Sequence, residues 1–188
     1  MKKRLYIIPG FGDQASQKSY RWIKEYAQEQ AYEVVLVPIQ WKRTTVNQWM
    51  EDFVSVLDEG TSSESVVLGF SFGALILMFA SARFSFKKII VCSLSPYFQE
   101  DIPQLPREAL LPLGKRRVEA FRKRPFPVAS KKAAAVFIIG DKDFSLAITR
   151  TKKAYKLWKY QKKITVLPSV GHTLNDPMYM KEIKKNLK

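Results

Sequence analysis

One short stretch of this chain could supply a nucleophile. Residues 69–73 read Gly-Phe-Ser-Phe-Gly, a G-x-S-x-G sequence with Ser71 at its centre, and an apolar run at residues 65–68 comes directly before it. Where a strand turns sharply into a helix, the central serine has a strained backbone, and only glycine fits two residues to either side. The pattern is typical of a nucleophile elbow, which presents a serine hydroxyl to a carbonyl carbon. The alternative is a glycine-flanked turn with an inert serine.

A serine hydroxyl needs a base that takes its proton, and this chain has a single histidine. His172 follows a short β-branched run at residues 164–167. A lone histidine is usually an ordinary surface or core residue. The loop after the last predicted strand is, however, where an elbow enzyme holds its base, so we predict that His172 has this role.

The third member of such a group is an acid that orients the imidazole and stabilises its positive form. An apolar run at residues 134–140 predicts a buried strand, and Asp141 and Asp143 follow it directly. The chain order of Ser71, an aspartate near 141 to 143, and His172 is the order in which elbow hydrolases place their triads.

The rest of the sequence alternates strands with helices, which favours a parallel sheet covered by helices on both faces. We predict strands at 5–9, 33–38, 65–70, 88–94, 134–140 and 163–167, and helices at 16–30, 45–58, 72–82, 145–160 and 176–187. The helix at 72–82 is apolar nearly all round, as a buried helix must be. The candidate residues all follow predicted strands, at the end of a parallel sheet where active sites lie.

Together these motifs resemble the α/β-hydrolase superfamily over nearly the whole chain. The resemblance implies a mostly parallel sheet of about six strands in the order 2-1-3-4-5-6, with helices on both faces. It also implies that the acid lies three residues after the glycine that ends its strand, which selects Asp143 and makes Asp141 its neighbour. Asp176 is a further rival, although its position before Pro177 is more typical of a helix N-cap.

The resemblance further implies an oxyanion hole built from two backbone N–H groups. One belongs to Phe72, the residue after the nucleophile. The other belongs to Phe11, in a loop that reads Pro-Gly-Phe-Gly and is similar to the family's His-Gly-x-Gly loop; Gly12 is the nearest alternative donor. Pro9 replaces the histidine, which leaves the main-chain donor in place but removes a side chain that often braces this loop in the family.

Residues 96–130 break the alternation and are predicted to form a lid or cap-like insertion in a single α/β-hydrolase domain spanning 1–188. The part from 96 to 127 holds six of the ten prolines, which forbids a long helix. In the family this position usually carries the lid over the active site. Its apolar residues fit an acyl pocket and the packing of a small subdomain equally well. They are Tyr97, Phe98, Leu105, Leu110, Leu111, Phe121 and Phe126.

Length and composition limit the domain size, the redox compartment and the location that we expect for the protein. The 188 residues suffice for one domain but not for an eight-stranded sheet with a large cap. Cys92 is the only cysteine, so an intrachain disulfide is impossible, which suits a reducing compartment. The apolar stretch after residues 1–4 is too short for a signal peptide, and no span reaches the about 18 apolar residues of a membrane helix. We expect a cytoplasmic protein without cofactor or metal.

Charge is distributed unequally along the chain. The net charge is +15, and residues 107–188 carry 21 basic and 6 acidic side chains, against 11 of each in residues 1–106. A field of this kind attracts polyanions or acidic protein surfaces, although solubility alone would also explain it. The basic residues in or beside the lid segment are Arg107, Lys115, Arg116, Arg117, Arg122, Lys123, Arg124, Lys131 and Lys132. Those on or after the next helix are Lys152, Lys153, Lys156, Lys159, Lys162 and Lys163.

The sequence therefore predicts a small serine hydrolase that cleaves an ester or thioester through an acyl-enzyme. The segment 92–98 is loosely similar to the start of the lid in hydrolases of carrier-bound acyl esters, so the partners would be a small acyl substrate and an acidic carrier protein. The alternative is a non-catalytic protein of the same fold that binds a polyanion or acidic partner through its basic C-terminal half. No recognised nucleic-acid motif supports that alternative.

Overall fold

The computed structural model describes residues 3–58, 63–127 and 132–188. These residues form a six-stranded, all-parallel sheet in the order β2-β1-β3-β4-β5-β6, which confirms the predicted topology. The strands are β1 (Lys3–Ile8), β2 (Tyr32–Leu36), β3 (Val66–Phe70), β4 (Lys88–Cys92), β5 (Ala134–Gly140) and β6 (Lys162–Leu167). The helices are α1 (Lys18–Glu29), α2 (Val46–Val56), α3 (Phe72–Ser81), α4 (Arg107–Leu110), α5 (Lys115–Phe121), α6 (Ser145–Leu157) and α7 (Pro177–Leu187).

Side chains of the strands alternate between two apolar clusters, one on each face of the sheet. In β1, Leu5 and Ile7 pack with α1 and α7, whereas Tyr6 and Ile8 pack with α2, α3 and α6. This alternation follows from the two-residue repeat of a strand. Helices on both faces bury the central strands, which explains their continuous apolar sequences.

The burial of α3 and the start of α2 both follow from their local sequences. All ten residues of α3 are buried, in keeping with its nearly uniform apolar character. A capping box forms before α2, where the Thr45 amide donates to Gln48 Oε1 at 3.1 Å. Within the described ranges, no helix is both long and apolar enough to cross a membrane.

Strand β4 ends two residues earlier than predicted. The predicted strand ran to residue 94, but β4 ends at Cys92 because Ser93 adopts a φ of +48°, in the left-handed region. The chain therefore leaves the sheet at Ser93 and enters the loop that leads to the lid segment.

The lid segment, defined here as residues 96–127, forms short pieces in keeping with its prolines. They are a 3₁₀ turn at Ile102–Gln104, α4, a second 3₁₀ turn at Leu111–Leu113, and α5. Each 3₁₀ turn has proline at its start, where a missing N–H costs nothing. The predicted insertion extends to residue 130, and its positions 128–130 lie outside the described residues.

Arg150 of α6 fastens the lid segment to the sheet domain. Its side chain is 3% exposed and forms ion pairs with Asp101 and, at 3.4 Å, with Glu100. Its guanidinium also lies 5.2 Å from the ring centroids of Phe98 and Phe126, a cation–π arrangement on both. One buried cation therefore joins four residues of the segment.

Candidate active site

Ser71 lies at a sharp turn between β3 and α3. Its backbone has φ 55° and ψ −114°, a strained conformation for a residue with a side chain. A Cβ on Gly69 would overlap the Gly73 carbonyl oxygen, and a Cβ on Gly73 would overlap the Ile8 carbonyl oxygen. The two glycines are thus required by the close backbone approach at this turn, as the elbow pattern predicts.

The structure brings the three predicted residues into one line of hydrogen bonds. Ser71 Oγ lies 2.9 Å from His172 Nε2, and His172 Nδ1 lies 2.8 Å from Asp143 Oδ1. With the proton on Nδ1, the imidazole donates to Asp143 and accepts the Ser71 hydroxyl proton at Nε2. This geometry allows His172 to act as a general base toward Ser71.

Asp143 is held in its charged form. Burial of its side chain would raise its pKa, but the hydrogen bond with His172 and the nearby Ser93 hydroxyl outweigh that effect, so the pKa lies below its ordinary value. Oδ1 also accepts from the Phe144 amide at 2.7 Å, whereas the buried Oδ2 has no partner among the described residues. A charged carboxylate at this place can stabilise a positive imidazole.

The two rival aspartates have other partners. The exposed Asp141 accepts from the Ser169 amide at 2.7 Å, which fixes the turn before the histidine loop. Asp176 caps α7 by accepting from the Met178 amide at 2.8 Å. Neither of them forms a hydrogen bond with His172 in the part of the chain that the structure describes.

Two backbone amides are available beside Ser71. Phe72 is the first residue of α3, so its N–H has no acceptor inside the helix. Within the described ranges, neither the Phe72 amide nor the Phe11 amide donates to another group. Both residues line the cavity that contains Ser71, and the positive end of the α3 dipole favours negative charge there.

A side-chain network braces the loop that contains Phe11. Tyr20 of α1 accepts from the Gly10 amide at 2.8 Å and donates to Asp13 Oδ2 at 2.7 Å. The Trp41 indole donates to the Asp13 carbonyl oxygen at 2.8 Å. This network could not be predicted from the sequence, because Tyr20 and Trp41 look like ordinary apolar core residues.

An apolar cavity of about 460 Å³ opens beside Ser71 and His172. The lid segment contributes Pro96, Tyr97, Leu105, Pro106, Ala109, Pro112 and Leu113 to its lining. Phe144 also lines it and is 67% exposed, with its ring centroid 5.1 Å from that of His172.

Of the seven apolar lid residues singled out from the sequence, five divide between cavity lining and packing, and two lie at a surface groove. Tyr97 and Leu105 line the cavity. Phe98 and Phe121 are fully buried in the core, and Phe126 packs against Phe98. The two remaining leucines, Leu110 and Leu111, line a separate surface groove, and Leu111 is 62% exposed.

Two serines after β4 reach the site without having been predicted. Ser95 Oγ lies 3.1 Å from Ser71 Oγ, and Ser93 Oγ lies 2.5 Å from the Tyr179 hydroxyl, beside Asp143. The strand order could have indicated their position, because β4 lies between β3 and β5, so the loop after β4 lies between Ser71 and Asp143.

The basic residues of the lid segment are not equivalent. Arg117 is partly buried and donates to three carbonyl oxygens, those of Trp41, Thr44 and Leu113. The neighbouring Arg116, Arg122, Lys123 and Arg124 are exposed. Lys131, counted with them from the sequence, lies outside the described residues.

Comparison with solved structures identifies the fold. The alpha/beta hydrolase domain-containing protein 10 from mouse has a TM-score of 0.83 at 12% identity, over 98% of this chain and 87% of that protein. A putative hydrolase from Agrobacterium vitis S4 has a TM-score of 0.82 at 13% identity, over 99% of this chain and 87% of that protein. The Paleococcus ferrophilus monoacylglycerol lipase has a TM-score of 0.73 at 14% identity, over 98% of this chain and 91% of that protein. No protein-family model and no curated protein sequence matches the chain. The protein has the α/β-hydrolase fold.

Proposed function

We propose that this protein is a serine hydrolase that cleaves an ester or thioester through an acyl-enzyme. The observation that carries the proposal is the line of hydrogen bonds from Asp143 through His172 to Ser71, which ends in an apolar cavity. The similar structures include proteins described as a putative hydrolase and a lipase, which supports hydrolytic chemistry on this fold.

In the proposed reaction, Ser71 Oγ attacks the acyl carbonyl carbon while His172 Nε2 takes the hydroxyl proton. The Phe11 and Phe72 amides bind the oxyanion that forms. His172 then gives its proton to the departing alcohol or thiol, which leaves an ester on Ser71. A water molecule, deprotonated by His172, attacks this ester and releases the acid.

The surroundings of Ser71 suggest the substrate class. An apolar cavity of about 460 Å³ suits the acyl part of a small molecule, since ligand pockets of this kind span roughly 300 to 1,000 Å³. The exposed cations of the lid segment suit a substrate that is anionic or is bound to an acidic carrier protein. A panel of acyl esters and thioesters of graded chain length would define the acyl group.

The decisive test combines a fluorophosphonate probe with Ser71→Ala. We expect wild-type protein to be labelled and to hydrolyse a p-nitrophenyl ester, and the variant to lose several orders of magnitude in kcat with its fold intact. Cys92→Ala is the control, because burial raises the pKa of that thiol well above its ordinary value and leaves it unreactive. Wild-type turnover in folded Ser71→Ala would refute the proposal.

The non-catalytic alternative makes a different prediction in the same assay. A polyanion-binding protein would show tight, salt-sensitive binding without fluorophosphonate labelling. We favour the hydrolase, because binding through a basic surface does not require a serine, a histidine and an aspartate in hydrogen-bonded order.

Charge reversal tests the carrier-bound substrate. Changing the exposed Arg116, Arg122, Lys123 and Arg124 to Glu should raise KM for a carrier-bound acyl thioester and leave a small neutral ester nearly unchanged. Arg117 is kept, because it binds backbone carbonyls. Raised salt should imitate the variant. Equal kinetics on both substrates at low salt would remove the support for a carrier.

A further inference from the structure

The loop after β4 lies between the nucleophile and the acid. The Ser71 amide donates to the Cys92 carbonyl oxygen at 2.9 Å, and the Ser93 amide donates to the Ile138 carbonyl oxygen at 2.9 Å. These backbone bonds fix the start of the loop to both neighbouring strands. Its next side chains are therefore held beside the triad by the sheet itself.

Ser95, two residues further along, has its hydroxyl against the nucleophile. The residue is 4% exposed, and its Oγ lies 3.1 Å from Ser71 Oγ, its one hydrogen-bond partner within the described ranges. Ser71 has a single hydroxyl proton, which points to His172 Nε2 when the triad is assembled. The proton in the bond between the two serines then belongs to Ser95, and Ser71 Oγ accepts it.

We propose that Ser95 is a further catalytic residue, which donates a hydrogen bond to the reacting oxygen of Ser71. The inference rests on the proposed hydrolase function. When the acyl-enzyme breaks down, the bond between Ser71 Oγ and the acyl carbon breaks, its electron pair returns to Oγ, and Oγ then takes a proton from His172. An ester oxygen is a weak acceptor and an oxygen gaining negative charge is a strong one, so the Ser95 bond strengthens toward the transition state.

The same argument holds for the first step. As Ser71 loses its proton to His172, negative charge grows on Oγ until the bond to the acyl carbon forms. A donor that is already in place stabilises this charge without reorganisation. Loss of the Ser95 hydroxyl should therefore slow both acylation and deacylation, and should leave substrate binding unchanged.

The test uses four variants of the full chain with a p-nitrophenyl ester and a fluorophosphonate probe. Ser95→Ala removes the donor, Ser95→Cys fills the space with a weak S–H donor, and Ser95→Thr keeps a hydroxyl. Ser81→Ala is the matched control: it deletes another buried serine hydroxyl, bonded to the Met78 carbonyl oxygen at 2.7 Å in α3 and away from the cavity.

We expect Ser95→Ala and Ser95→Cys to lose about tenfold in kcat and in labelling rate with KM unchanged, Ser95→Thr to keep a higher kcat than either, and Ser81→Ala to stay near wild type. Because the cysteine variant conserves volume, it gives the answer even where the alanine variant does not fold. Wild-type kcat in folded Ser95→Ala or Ser95→Cys, or a raised KM with normal kcat, overturns the inference alone. Absence of Ser71-dependent turnover in wild type overturns the proposed function, and the inference with it.

Discussion

The loops at the strand ends and the lid segment are held in place by different means. At the strand ends, backbone contacts do the positioning: Gly69, Gly73 and Gly140 each lie against a carbonyl oxygen that leaves no room for a Cβ. In the lid segment, side-chain contacts do it: Phe98 and Phe121 are buried in the core, and two arginines bind the segment, Arg150 through carboxylates and Arg117 through carbonyls. The reactive groups thus depend on the backbone of the sheet, whereas the wall of the cavity depends on side-chain packing and two cations.

The largest effect expected from this difference lies at the strand ends. Asp143→Asn should lower kcat for a p-nitrophenyl ester by about 10⁴-fold, because an amide no longer holds His172 in the tautomer that accepts the Ser71 proton. Asp141→Asn and Asp176→Asn should stay within a few-fold of wild type. Steady-state kinetics of the three folded variants checks this, and a dominant loss at either control position would reassign the acid.

The next effect concerns the attachment of the lid segment. Arg150→Met should lower the free energy of unfolding by about 3–5 kcal/mol, because it leaves Asp101 buried without its partner. Urea unfolding measures this, and adding Asp101→Asn should restore much of the loss. Lys152→Met, on the exposed side of the same helix, is the control. An unchanged midpoint in Arg150→Met would mean that the buried apolar side chains of this segment hold it without the ion pairs.

Substitution of Arg117 tests whether a change in the lid segment alters the loops at the strand ends. The Arg117 guanidinium lies 5.2 Å over the Phe11 ring, so the lid segment contacts the loop that holds Phe11, the proposed second oxyanion donor. Arg117→Met should lower kcat for a small ester about tenfold by loosening that loop, whereas the exposed neighbour variant Arg116→Met should not. A rise in KM with unchanged kcat would instead limit Arg117 to shaping the cavity.

The smallest effect is a dependence of stability on pH. The pKa of Asp143 lies below its ordinary value of 3.8, so the unfolded chain binds this proton more readily than the native protein does. The resulting stability is fully present above pH 3.8 and is lost as the pH falls through the native pKa. The difference in unfolding free energy between wild type and Asp143→Asn should therefore shrink below about pH 4 in acid titrations followed by circular dichroism. A constant difference would contradict the lowered pKa.

Much of the fold could be predicted because the elements carry strong local patterns. Buried parallel strands appear as apolar runs, and α2 is recognisable by its apolar face and its capping box. The interior of the lid segment could not be predicted. Six prolines suppress the helical repeat there, and residues that pack, such as Phe98, have the same composition as residues that line the cavity, such as Tyr97.

The candidate triad could be located because its members are rare or sit in a demanding motif. His172 is the only histidine, and the glycines around Ser71 are required by the elbow backbone. Ser95, Tyr20 and Arg150 could not be singled out in the same way, because their roles arise from contacts between distant parts of the chain. Serine, tyrosine and arginine occur throughout the sequence, so residue type alone carries no signal for them.

The short contact between His172 Nδ1 and Asp143 makes this protein well suited to magnetic resonance. Since the chain has one imidazole, every histidine side-chain signal belongs to the candidate site and needs no assignment by mutation. The proton shared between Nδ1 and the carboxylate should resonate far downfield of the amide envelope, and the ¹⁵N shifts of the ring report its tautomer directly. Inhibitor binding, lid substitutions and pH can then be followed at the same nucleus.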